Sequence, residues 1–165
     1  MKILQEKLSL AILNAYSFYS MGLNSRNSNK VNSGIGDILF KKIPETVAFC
    51  FASELFLKVL ISQFNSVFEK THRLRKLFDS LPQGYKDGIK VAYDLISGSK
   101  TGMFFEELDR ISNAFEEWRY YGVNDLQGKE MNLPFEFAYQ FSTVLKNLVL
   151  KINPETARLI QSIKE

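Results

Sequence analysis

The chain has 165 residues, 45% of them hydrophobic and 24% charged, with a formal net charge of +3 and a pI near 8.9. These totals describe one ordinary globular domain. A domain of this length buries roughly 70% of its unfolded surface, so neither a metal nor a disulfide is needed to hold it together. The mild positive balance permits a nucleic-acid partner without arguing for one.

Fourteen Phe and seven Tyr point to a core rich in rings. The single cysteine, Cys50, rules out an internal disulfide or a cysteine-based zinc site. Glu6 and Lys7 fall where a signal peptide would carry its apolar stretch, and no run of 18 apolar residues exists. A reducing cytoplasm is therefore the expected location.

In chain order, Leu4, Leu8, Ala11, Ala15 and Phe18 follow a helical spacing over residues 3–21, with Gly22 as the stop. The following "NSRNSNKVNSGIG", residues 24–36, is rich in side chains that compete for backbone hydrogen bonds and reads as a flexible loop. A second helix is expected from Pro44 to Phe64. Its "VAFCFASELFLKVLI" is apolar nearly all round, the mark of a central buried helix. Glu54 and Lys58, four apart with the acid first, break that surface along a thin polar stripe.

"THRLRKLFDSLP", residues 71–82, predicts a short helix capped by Thr71, with His72 in its first turn and Pro82 closing it. Tyr85, Ile89, Ala92 and Ile96 form the next helical seam over 85–97, weakened by Gly84 and Gly88. Phe104, Leu108, Ile111, Phe115 and Trp118 form another, in a helix from about Thr101 to Tyr121. After a loop at 122–133, Pro134 opens a helix to about Ile152. "NPET" then caps a last helix through Asn153, carrying Leu159, Ile160 and Ile163. The sum is an all-α, antiparallel up-and-down bundle of about six helices, one domain over residues 1–165.

His72 is the only histidine, so a multi-histidine metal site is excluded and any imidazole chemistry must use this residue. At a helix N-terminus it reads either as a polar cap or as a neutral base. Glu54 and Lys58 need partners if buried. Arg119 suits Glu54, because a guanidinium grips a carboxylate through two parallel bonds. Such a clamp can be purely structural or can line a site. Trp118, Tyr120 and Tyr121 read either as core and subunit contact or as a stacking platform for bases.

"ASELFLKVLI" (52–61), "EKTHRLRKLFDSLP" (69–82) and "FFEELDRISNAFEEWRYY" (104–121) together resemble the HEPN family of small helical domains. The likeness implies a homodimeric helical bundle whose cleft holds RNA or a nucleotide. It also implies a setting in toxin–antitoxin, abortive-infection or CRISPR-associated defence, and it implies no cofactor. Many members resemble metal-independent ribonucleases whose signature is Arg, four to six residues, then His. Here the positions that would hold that Arg before His72 are Asn65, Ser66 and Val67, and the positions after Arg119 are Asn124, Asp125 and Leu126. The expectation is a HEPN-like nucleic-acid- or nucleotide-associated module without the usual motif. Its polar centre would comprise Glu54, Lys58, His72 and Arg119, with Trp118 and Tyr120 around it. The alternatives are a metal-independent ribonuclease using His72 and Arg119, and a non-catalytic protein that binds a cognate partner.

Overall fold

The computed structural model describes residues 2–28, 41–64, 70–98, 103–112 and 134–164. Among these residues there are seven α-helices and no strand: α1 (Lys2–Asn27), α2 (Ile43–Ser62), α3 (Leu74–Asp79), α4 (Gln83–Ser97), α5 (Phe104–Ser112), α6 (Phe135–Ile152) and α7 (Pro154–Lys164).

The all-apolar α2 is the axis of the domain, as its composition requires. Phe49, Ala52, Phe56, Leu57 and Leu60 are wholly buried, with α1 on one side and α6 and α3 on others. Burying such side chains stabilises the fold by about 1.5–3 kcal/mol each. Pro44 lies in the first turn of α2, where its missing N–H leaves no bond unmade. The Cys50 thiol is buried, and burial pushes its pKa far above the ordinary range, so it behaves as an inert apolar group.

Gly22 does not end α1. The helix continues to Asn27, and Gly22 is buried against the Phe49 ring, so close that a Cβ there would stand 2.7 Å from it. The glycine serves close approach of α1 to α2, not termination. Residues 24–27, expected as loop, are thus helical, while residues 29–36 lie outside the described residues. The buried seam of α1 is correspondingly Ile12, Ala15, Tyr19 and Gly22, with Leu8, Ala11 and Phe18 only partly covered.

Ser25 donates to the Lys41 carbonyl, and Arg26 reaches Glu45 and Glu136. The end of α1 therefore meets the starts of both α2 and α6, so these two run in the same sense and both antiparallel to α1. Phe78, Phe104, Phe137 and Phe141, with Tyr93, join α3, α4, α5 and α6 through ring contacts of 5.1–6.3 Å. Such ring pairs add to plain area burial.

α3 is shorter than its sequence pattern suggests. Thr71 accepts the Arg73 N–H through its hydroxyl and holds an extended residue at Arg73, so helical turns begin only at Leu74. His72 consequently precedes the helix and is not in its first turn. α4 runs through Gly84 and Gly88 and ends at Gly98, which takes the left-handed conformation (φ +71°) and returns its N–H to the Asp94 carbonyl. The Asn153 amide donates back to the Val149 carbonyl of α6. In α7 only Ile160 of the three expected apolar residues is buried, with Leu159 and Ile163 exposed. The helix is tied to α1 by the Ser9–Thr156 and Gln5–Glu155 side-chain bonds.

Candidate functional site

Glu54 projects from the middle of α2, and its side chain is 5% exposed. One of its oxygens, Oε1, accepts from Lys58 Nζ at 2.8 Å, the helical i, i+4 partner that the spacing foretold. His72 Nδ1 lies 2.9 Å from the same oxygen. The extended segment before α3 is what brings the imidazole there, because a first-turn position would have tied it to the helix axis. The Glu54 carboxylate oxygen is an acceptor, so Nδ1 is the donor in this contact. The His72 side chain is 52% exposed, against 19% for Lys58. Glu54 is thus a buried orienting group with an imidazole at the surface.

Three of the four ionisable residues expected to converge therefore do so. Arg119, Trp118 and Tyr120 lie outside the described residues, and so does any Glu54–Arg119 pair. The space at this centre, lined by Cys50, Phe51, Glu54, His72, Ile111 and Ser112 among others, is only about 10 Å³. That is room for a single water at most. Among the described residues, the part of this cluster most open to solvent is the His72 side chain. Ser112, at the end of α5, accepts the Arg75 backbone N–H, which docks α5 against the start of α3.

The flanks of His72 are basic as well. Lys70, Arg73 and Lys76 are all exposed, and none has an ion pair among the described residues. Arg75 differs: it pairs with Asp79 and Asp109 and stacks over Phe105 at 4.5 Å, a structural tie between α3 and α5. The signal was visible as four cations in "KTHRLRK", but only the fold separates the one that is paired from the three that are not.

A second polar cluster was not foreseen. Glu45 is wholly buried and receives Arg26 Nη1 at 2.9 Å and Lys42 Nζ at 3.3 Å. Arg26 also grips Glu136 at 2.6 Å and lies over the Tyr139 ring at 4.2 Å. Burial works against the Arg26 charge, but the carboxylates of Glu136 and Glu45 outweigh it and hold the guanidinium above its ordinary range. Among the described residues no group of three or more His, Cys, Asp or Glu is arranged to hold a metal ion, and no helix is long and apolar enough to cross a membrane. No protein-family model, curated protein or solved structure matches the chain.

Proposed function

We propose that the chain is a HEPN-like helical module that engages RNA or a nucleotide through phosphate contacts around His72, in a bacterial defence, toxin–antitoxin or stress setting. The observation that carries this reading is the shared Glu54 oxygen. It fixes the imidazole at 2.9 Å and leaves half of the side chain at the surface, in a segment that also carries exposed Lys70, Arg73 and Lys76. Cations without carboxylate partners supply the salt-sensitive part of nucleic-acid affinity, and an oriented imidazole adds a hydrogen-bonding group at a fixed place. The biological setting rests on the three-segment resemblance alone.

The test is binding of a fluorescent single-stranded RNA across a salt series. Wild type should bind with an affinity that falls as salt rises. The triple variant Lys70→Ala, Arg73→Ala, Lys76→Ala should lose most of that slope, by roughly 0.7 per phosphate contact removed. Affinity that is equal in the triple variant and in wild type would refute the reading.

The oriented imidazole favours a second reading, metal-independent RNA cleavage. His72 Nε2 would take the proton of a 2′-hydroxyl, and that oxygen would attack the adjacent phosphorus. The 5′-oxygen would then leave with a proton from water, giving a 2′,3′-cyclic phosphate, and the imidazolium would return its proton to the hydroxide so formed. Arg119, by residue type, would supply the cation for the developing phosphorane charge. Cleavage that persists in a chelator and is lost in both His72→Ala and Arg119→Ala supports it, and full activity in either variant removes that residue from the mechanism.

A further inference from the structure

The Glu54 oxygen that holds His72 also limits what the ring can offer a ligand. A neutral imidazole has one N–H, and an imidazolium has two. At 2.9 Å from Glu54 Oε1, Nδ1 commits the first of these to the carboxylate. The second ring nitrogen therefore donates only when the ring carries a second proton. A phosphodiester offers acceptors alone, and its strong hydrogen bonds are those from charged donors. A ring that donates to a carboxylate through one nitrogen and to a phosphate through the other is an imidazolium. Lys58 does not alter this count, because its ammonium meets the same Oε1 and leaves Nδ1 in place.

Resting on the RNA reading of this surface, we infer that binding is proton-linked: His72 takes up a proton as a phosphodiester of single-stranded RNA docks, and the RNA is held more tightly in acid than in base. The charges around the ring fix this direction. From α2 it meets Glu54 and, across the shared oxygen, Lys58. Its own segment adds exposed Lys70 and Arg73, and α3 adds exposed Lys76. Arg75 of α3 is paired with Asp79 and with Asp109 of α5. Among the described residues Glu54 is thus the one carboxylate bonded to the ring, and a phosphate brings a second anion. An opposite charge at this distance favours the charged form, so the complex holds the proton more tightly than the free chain does. Affinity is then greatest below the pKa of the free ring, falls as pH rises from there to the pKa of the complex, and is flat above it. Cleavage would need the opposite state, a neutral ring that accepts a proton, so the two activities make contrary demands on one nitrogen.

Histidine occurs once in the chain, so the imidazole proton signals seen by nuclear magnetic resonance of the untagged protein belong to His72 alone. The probe is a short oligouridylate, whose bases stay neutral across the imidazole range of about pH 5 to 8. In the saturated complex the midpoint of those signals lies about one unit higher than in the free chain, and the dissociation constant rises about tenfold from the acid to the basic end of the range. The slope of affinity against salt is steeper in acid by roughly 0.7, the share of one phosphate contact. His72→Gln, which keeps a neutral N–H donor, binds with the shallow slope at every pH. His72→Lys, whose charge is permanent, binds with the steep one. Salt-sensitive binding that does not vary with pH, a midpoint that stays or falls on binding, or a pH dependence that survives in His72→Gln would each overturn the inference and leave the RNA reading standing. An absence of binding at low salt at any pH would sink both.

Discussion

Two carboxylates on α2, Glu45 and Glu54, are buried to nearly the same degree and are satisfied in opposite ways. Glu45 is closed in by Arg26, which also spans to Glu136 and is roofed by Tyr139, with Lys42 on the second oxygen. Every partner of that carboxylate is a permanent cation, and the cluster stitches the ends of three helices together. Glu54 instead gives one oxygen to both Lys58 and His72, and the latter is half in solvent. The first arrangement has the form of a joint and the second that of a holder. Burying a carboxylate is unfavourable in either place unless its hydrogen bonds are made. What differs is where the partners lead, inward to other helices or outward to water.

That contrast predicts unequal consequences of removing the acids. Glu45→Ala leaves Arg26 with Glu136 alone, removes the shared partner of Arg26 and Lys42 at the meeting of α1 and α2, and should lower the free energy of unfolding by at most about 3–5 kcal/mol, the penalty for breaking a buried pair. Glu54→Ala should lower it by only about 1–3 kcal/mol, because both Lys58 and His72 can turn to water. Urea denaturation of the two variants measures the difference directly. Equal losses would mean that Glu54 is as much a structural joint as Glu45, and the functional reading of His72 would lose its basis.

A smaller effect is expected at Tyr93, where a third carboxylate meets a neutral partner. Its hydroxyl donates to Glu107 at 3.3 Å, and burial, with the nearby Glu107 charge, pushes its pKa up to about 12 from 10.0. The folded state thus holds the proton more tightly than the unfolded chain. This contribution is complete below pH 10 and is lost progressively as pH climbs towards 12. Tyr19 shifts in the same direction. In Tyr93→Phe, the fall of stability between pH 10 and 12 should be shallower than in wild type. An ultraviolet titration in which this phenol ionises near the ordinary value of 10.0 would contradict the shift.

The helical class and the central helix were legible because neither depends on distant contacts. An all-apolar run must be buried, and Glu54 and Lys58 four apart must meet. His72 was legible as a candidate by being the only histidine, although its place before α3 was not. That place depends on the Thr71 hydroxyl capturing the Arg73 N–H, a local competitor that helical periodicity ignores. The Arg26 joint was illegible for a plainer reason. Gly22 has the appearance of a helix stop, which places Arg26 in a loop. Only the Phe49 ring, 27 residues away in sequence, reveals why a glycine stands there. An exposed apolar side of α4 was hidden likewise: its sequence shows one good seam through Ile89, and exposure alone discloses the second through Leu95.

The smallest stability effect sharpens the comparison most. His72→Ala removes a side chain that is 52% exposed and whose hydrogen bond to Glu54 is duplicated by Lys58. Glu54 Oε1 keeps its ammonium, so no buried charge is orphaned, and unfolding should change by no more than about 0.5 kcal/mol, as for an ordinary surface substitution. RNA affinity at low salt should nevertheless fall, since a group held at a fixed place contributes to binding without ordering cost. Arg26→Ala supplies the mirror image, with a large loss of stability and unchanged affinity in the fraction that remains folded. If His72→Ala unfolds the domain as readily as Arg26→Ala does, the imidazole is one more brace between α2 and α3 and the surface around it has no claim on a ligand.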